Sequence, residues 1–169
     1  MTRIALLSDT HGHFDERVAH YLAGADEIWH AGDFGSAALV DELRTLAPVF
    51  RGVYGNIDGA DVRRTEPLVQ QFEVGGLRVL MTHIGGYPGH YAPAVRPLLT
   101  AARPGLFVCG HSHILRVAPD PRLGLLALNP GAAGRHGFHK VRTLLRFGIE
   151  AGRVVDLQAV ELGLRAALS

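Results

Sequence analysis

Three short apolar runs, at residues 3–8, 27–31 and 48–54, each close on turn-forming residues and alternate with segments of helical period. Short apolar runs bounded by turns predict buried strands rather than helices. Between them, residues 14–23 place Val18, Tyr21 and Leu22 on one helical face, and residues 36–46 predict a second helix with Ser36 as its N-cap. This alternation constrains the fold more than any other feature, because parallel strands need a crossover connection and the usual crossover is a helix. The expected class is α/β, with a mostly parallel sheet.

The second half is richer in strands. Residues 68–74 and 77–82 flank Gly75-Gly76, which predicts a hairpin. A helix is expected over 92–102, then short strands near 105–109, 114–118, 124–128, 141–148 and 153–160, with a turn between Gly148 and Gly152. Helices should cover the outside of the sheets. No linker composition separates the halves, so residues 1–169 are expected to form one domain.

Five of these strands end by delivering a residue of metal-ligand type. The first ends in Ser8-Asp9-Thr10-His11-Gly12, the second in Gly32-Asp33 and the third in Gly55-Asn56-Ile57-Asp58. The strand at 77–82 runs into His83, and the one near 105–109 into Gly110-His111-Ser112-His113. Ligands of α/β sheets gather at the carboxyl ends of strands. If the strands lie side by side, Asp9, His11, Asp33, Asn56, His83, His111 and His113 converge. Seven such groups exceed the needs of one ion, whereas two ions sharing a carboxylate would use them. Nitrogen and oxygen donors without thiolate favour manganese, iron, zinc or nickel, manganese first. The glycines at 12, 32, 55 and 110 would allow the turns.

Each residue taken alone has a plainer reading. Asp9 and Asn56 suit turns, Asp33 suits a helix cap, and a lone histidine is more often structural. The ordered set is what carries weight. It resembles the motif series of the calcineurin-like metallophosphoesterases. The Gly-Asn-x-Asp form and Asn129-Pro130-Gly131 resemble the small bacterial and archaeal phosphodiesterase subgroup, to which a retromer subunit is also similar. The resemblance runs from about residue 3 to about residue 160. It implies a four-layer α/β/β/α metallophosphoesterase sandwich with a dinuclear centre. Asp9, His11 and His113 would hold one divalent ion, and Asn56, His83 and His111 the other, with Asp33 bridging.

The implied reaction is hydrolysis of a small or nucleotide-like phosphodiester by a hydroxide bridging the two metals. Two departures matter. Many relatives carry histidine after the motif asparagine, but here Ile57 stands there and cannot transfer a proton. Ile84-Gly85-Gly86 follows His83 in place of the usual Gly-His. Substitute donors would be Asp58 or His90, and substrates with good leaving groups would be favoured. The rival readings are a metal-binding scaffold with little activity and a phosphomonoesterase.

Of the other side chains, His30 is expected to orient a ligand or pack, Cys109 to be a buried inert thiol, and His20, His136 and His139 to face solvent. Arg135 is read as a solvated surface charge. A net charge of +1 gives no case for a nucleic-acid polymer or a membrane surface as partner. The N-terminal apolar run is too short for a signal sequence, so a cytoplasmic location is expected. Apolar edge strands could pair copies into a homo-oligomer.

Overall fold

The structure, a computed structural model, describes residues 1–166. Twelve strands and four helices follow one another: β1 (Thr2–Leu7), α1 (Glu16–Leu22), β2 (Glu27–His30), α2 (Ala37–Arg44), β3 (Val49–Gly52), α3 (Ala60–Arg63), β4 (Val69–Val74), β5 (Leu77–Thr82), β6 (Gly86–Tyr87), β7 (His90–Tyr91), α4 (Arg96–Ala102), β8 (Leu106–Val108), β9 (Leu115–Asp120), β10 (Leu125–Pro130), β11 (Val141–Glu150) and β12 (Arg153–Leu164).

Two five-stranded sheets result, in the orders β12-β11-β1-β2-β3 and β4-β5-β8-β10-β9. The β1, β2 and β3 strands are parallel, as the alternation predicts, and so are β5, β8 and β10. The halves of the sequence do not map onto the two sheets. The β11 strand pairs antiparallel with β1, and β12 with β11, so the last two strands complete the first sheet.

Alternation along the strands builds the layers. Ile4 and Leu6 of β1 face the second sheet and pack with Trp29, Met81, Leu106, Val108 and Phe147. Ala5 and Leu7 face the other way, against Val18 and Leu22 of α1 and Leu39, Val40 and Leu43 of α2. In the second sheet, Leu80 and Phe107 turn outward onto Val95 and Leu99, beside and within α4. Both faces of the central strands are therefore buried, which explains their unbroken apolar runs. The order is helices, sheet, sheet, helix: the expected four layers.

Local chemistry sets the element ends. Asp15 accepts the Val18 N–H at 3.0 Å to cap α1, and Ser36 accepts that of Leu39 at 3.2 Å to cap α2. Gly75 and Gly76 have φ of 53° and 81°, the paired positive values of a tight hairpin turn. Two expectations shift. The fourth helix begins at Arg96 rather than 92, with Pro97 in its first turn. The last hairpin turns at Ala151-Gly152, and Gly148 lies inside β11 at a register shift.

Candidate metal centre

Strand ends from both sheets meet along one edge. Asp9 and His11 follow β1, Asp33 follows β2, Asn56 follows β3, His83 follows β5, and His111 and His113 follow β8. Asp9, His11 and His113 form one cluster of donor atoms, and Asp33, His83 and His111 another. Asn56 Oδ1 joins the second cluster, 3.0 Å from both His83 Nε2 and His111 Nδ1. Asp33 Oδ2 lies between the clusters, 3.2 Å from His83 Nε2 and 3.5 Å from His11 Nε2.

Gly12 and Gly32 take φ of 78° and 100°, as the turns require, but the glycines do not carry all of the bending. Asp9, His11, Asp33, His111 and His113 themselves adopt left-handed φ, between 46° and 69°. Asp and His tolerate this region better than most side chains, yet such residues still store roughly 1 kcal/mol or more each. The surrounding ladder holds them: Asp9 N–H donates to the Gly32 carbonyl at 2.9 Å and His11 N–H to the Asp33 carbonyl at 3.1 Å. Gly55 serves differently, because a Cβ there would collide with the Asp33 carboxylate.

Hydrogen bonds aim the imidazoles. His83 Nδ1 lies 2.7 Å from the Ala31 carbonyl, so it carries the proton and Nε2 is left as a lone pair. That lone pair faces Asn56 Oδ1 and Asp33 Oδ2, both acceptors. His139 does the same for His113. His139 Nε2–H donates to the Gly134 carbonyl at 2.9 Å, which leaves its Nδ1 to accept from His113 Nδ1–H at 3.2 Å. His113 Nε2 then points its lone pair at Asp9 Oδ1, 3.1 Å away. The buried Asp9 Oδ1 and His11 Nε2 have no hydrogen-bond partner among the described residues. Lone pairs that converge without a hydrogen-bond donor among them are what a cation needs, and this donor set of imidazole, carboxylate and amide oxygen fits divalent ions.

Electrostatics agree. Burial raises the Asp9 carboxyl, but the neighbouring imidazoles of His11, His113 and His83 and the Ser8 hydroxyl outweigh it and hold the group well below the usual range. Asp33 is lowered likewise: burial opposes, and the His83 imidazole and Ile57 N–H prevail. Burial lowers His83, but the Asp33 and Asp9 carboxylates override it and the imidazole is raised.

Supporting residues differ in part from expectation. Asp58, expected as a substitute proton donor, is engaged with backbone instead. Its buried carboxylate accepts N–H groups of Phe34 at 3.2 Å, Gly35 at 3.0 Å and Gly55 at 2.8 Å, tying the Asp33 loop to the Asn56 loop. His90 is exposed on β7 and lines a neighbouring cavity with His111. Ile57 lines the metal-centre cavity, and its N–H holds Asp33 Oδ1 at 3.1 Å. Asn129 donates to the Gly110 carbonyl at 2.9 Å and the Ser112 hydroxyl at 3.1 Å, bracing the loop that carries His111 and His113. His30 is fully buried, stacked on Phe34 at 3.7 Å, with Thr10 on one ring nitrogen and the Gly32 N–H on the other. Cys109 is buried, and burial pushes its thiol up to about 12.

His136 and His139 do not simply face solvent. The His136 ring stacks on His11 at 4.8 Å, and His139 orients His113. The segment Gly134-Arg-His-Gly-Phe-His139 holds two histidines around a glycine, a signal that carries no metal-ligand spacing of its own.

Residues 2–152 match the family model of the calcineurin-like phosphoesterase superfamily domain. A probable metallophosphoesterase of Methanothermobacter thermautotrophicus is 32% identical over 136 residues, covering 76% of each chain. Two solved structures share the fold. One is an archaeal phosphodiesterase, with a TM-score of 0.73 at 20% identity over 95% of this chain and 99% of that one. The other is Vps29 of Entamoeba histolytica in complex with zinc, with a TM-score of 0.70 at 17% identity over 96% and 100%.

Proposed function

This chain belongs to the calcineurin-like phosphoesterase superfamily, and on that premise we propose that it is a dinuclear phosphodiesterase acting on a small or nucleotide-like phosphodiester. The observation that carries the reading is the double cluster of donors with Asp33 Oδ2 between its halves. Asp9, His11 and His113 would hold one divalent ion, and Asn56, His83 and His111 the other, with Asp33 shared. Such ions supply Lewis-acid charge at phosphorus and acidify a water to a pKa near 7 in favourable sites. Manganese is the first choice of metal; nickel, iron and zinc suit the same donors.

The chain's own groups do the rest. The Ala31 carbonyl and His139 keep His83 and His113 in the tautomers that offer Nε2. The Ile57 N–H and the Asp58-braced loops hold the Asp33 carboxylate in place. Ile57 gives a leaving group no proton, and side-chain acid help is typically worth about 10²–10⁴-fold. Esters of acidic alcohols and phenols are therefore the favoured substrates.

The exposed Ile57 also favours a second reading, a metal-binding scaffold with little turnover. Bis-p-nitrophenyl phosphate with Mn²⁺ separates the two. The phosphodiesterase reading expects turnover that Asp33→Ala abolishes and a slower rate on p-nitrophenyl phosphate. Bound metal with no turnover favours the scaffold, and a faster monoester rate would mark a phosphomonoesterase.

A further inference from the structure

We propose that the mouth of this site carries an aromatic subsite, centred on Phe138, that selects phosphodiesters bearing a planar ring; the substrate class rests on the phosphodiesterase reading above. Phe138 is wholly exposed, at 102% of its reference area, although its neighbours on both sides are anchored. On one side His139 is pinned between Gly134 and His113. On the other, Gly137 has φ of 129° and lies so close to His113 Nδ1 that a Cβ would collide with it. The chain thus presses against the metal-centre histidines and presents the ring to water.

That ring lines the same cavity, of about 530 Å³, as His11, Asp33, Asn56, His111 and His113. Ile57 and Ile114 line it too, 47% and 55% exposed. Three uncovered apolar side chains around one polar centre mark a binding mouth rather than scattered surface residues.

Charge narrows the ligand. Among the described residues lining this cavity there is no arginine or lysine. Arg135 is engaged with His13 and the Arg165 carbonyl, and Arg116 lies over the Tyr87 ring, 4.0 Å from its centroid. Phosphate dianions and polyphosphates are commonly gripped by such cations. A diester carries one negative charge, which metal and imidazole groups can match, and its substituent needs apolar cover. An exposed phenylalanine offers that by stacking, which tolerates any planar ring, nucleobase or aryl.

Calorimetric titration of the Mn²⁺-loaded protein at 4 °C, with each ligand checked for hydrolysis after the run, tests this through affinity rather than turnover. Diphenyl phosphate supplies aryl rings, 3′,5′-cyclic AMP a nucleobase, and dimethyl phosphate the same charge with no ring. Phe138→Ala should weaken at least one ring-bearing ligand about tenfold, leave dimethyl phosphate within about twofold, and be restored by Phe138→Trp. Which ring-bearing ligand responds identifies the source. Equal loss for all three ligands, no loss for any, or wild-type protein binding neither ring-bearing diester more tightly than dimethyl phosphate overturns the subsite. Failure of the phosphodiesterase reading shows separately, as metal-loaded wild-type protein that does not turn over bis-p-nitrophenyl phosphate.

Discussion

His113 offers its lone pair toward Asp9 because His139 accepts the proton on its other nitrogen. Groups that orient a metal-binding histidine typically contribute 10–100-fold to metal affinity. His139→Ala should weaken Mn²⁺ binding by roughly that factor in calorimetric titration; unchanged affinity would remove the orienting role. His30 governs a pH response. Burial lowers its pKa to about 3, and a proton on the nitrogen that accepts the Gly32 N–H would also break that bond. The unfolded chain takes up this proton near pH 6.5, before the folded one does. Stability is therefore complete above about pH 6.5 and falls as pH drops toward about 3, by at most ~1.4 kcal/mol per pH unit from this group. Urea midpoints between pH 7 and pH 4 should fall less steeply for His30→Asn, which keeps an acceptor but does not titrate. At this scale the sequence showed the donor types at strand ends. It hid His139 and Phe138, whose roles come from a neighbour 26 residues away in the one case and from the absence of one in the other.

Loops rather than strands decide how the donors are held. The carboxylate of Asp58 ties the loop after β2 to the loop after β3 through the Phe34 and Gly35 N–H groups, and accepts a third from Gly55 within its own loop. Leaving a buried donor unpaired costs about 1–3 kcal/mol, so Asp58→Ala should lose about 3 kcal/mol or more in urea denaturation and bind metal less tightly. Asp58→Asn should keep the alkaline limb of the rate profile, because the carboxylate is occupied by backbone N–H groups; loss of that limb would return Asp58 to the acid role. The strands and the first two helices were legible because their periods and caps are local. The two-residue strands β6 and β7 were not, being too short for any periodicity. The left-handed ligand residues were equally hidden, since positive φ at Asp or His is imposed by the ladder around them.

Across the whole molecule, the centre joins two sheets. Asp9 and Asp33 come from the first, His83, His111 and His113 from the second. Metal binding should therefore stabilise the entire fold. At a hundredfold excess over Kd the gain is about 2.7 kcal/mol, which for a chain of this size raises the unfolding midpoint by roughly 5–11 °C. Differential scanning calorimetry with Mn²⁺, reversed by a chelator, checks this; an unmoved midpoint would mean the two clusters do not bind metal together. By itself the sequence determined the alternation of buried strand and amphipathic helix, and the kind of donor placed at each strand end, because both follow from side-chain chemistry within a few residues. Only the tertiary structure decided that β11 and β12 return to the first sheet, that Asp58 braces the two loops, and that His139 orients His113. Those outcomes depend on pairings between distant segments, which packing of the two sheets selects and local pattern does not encode.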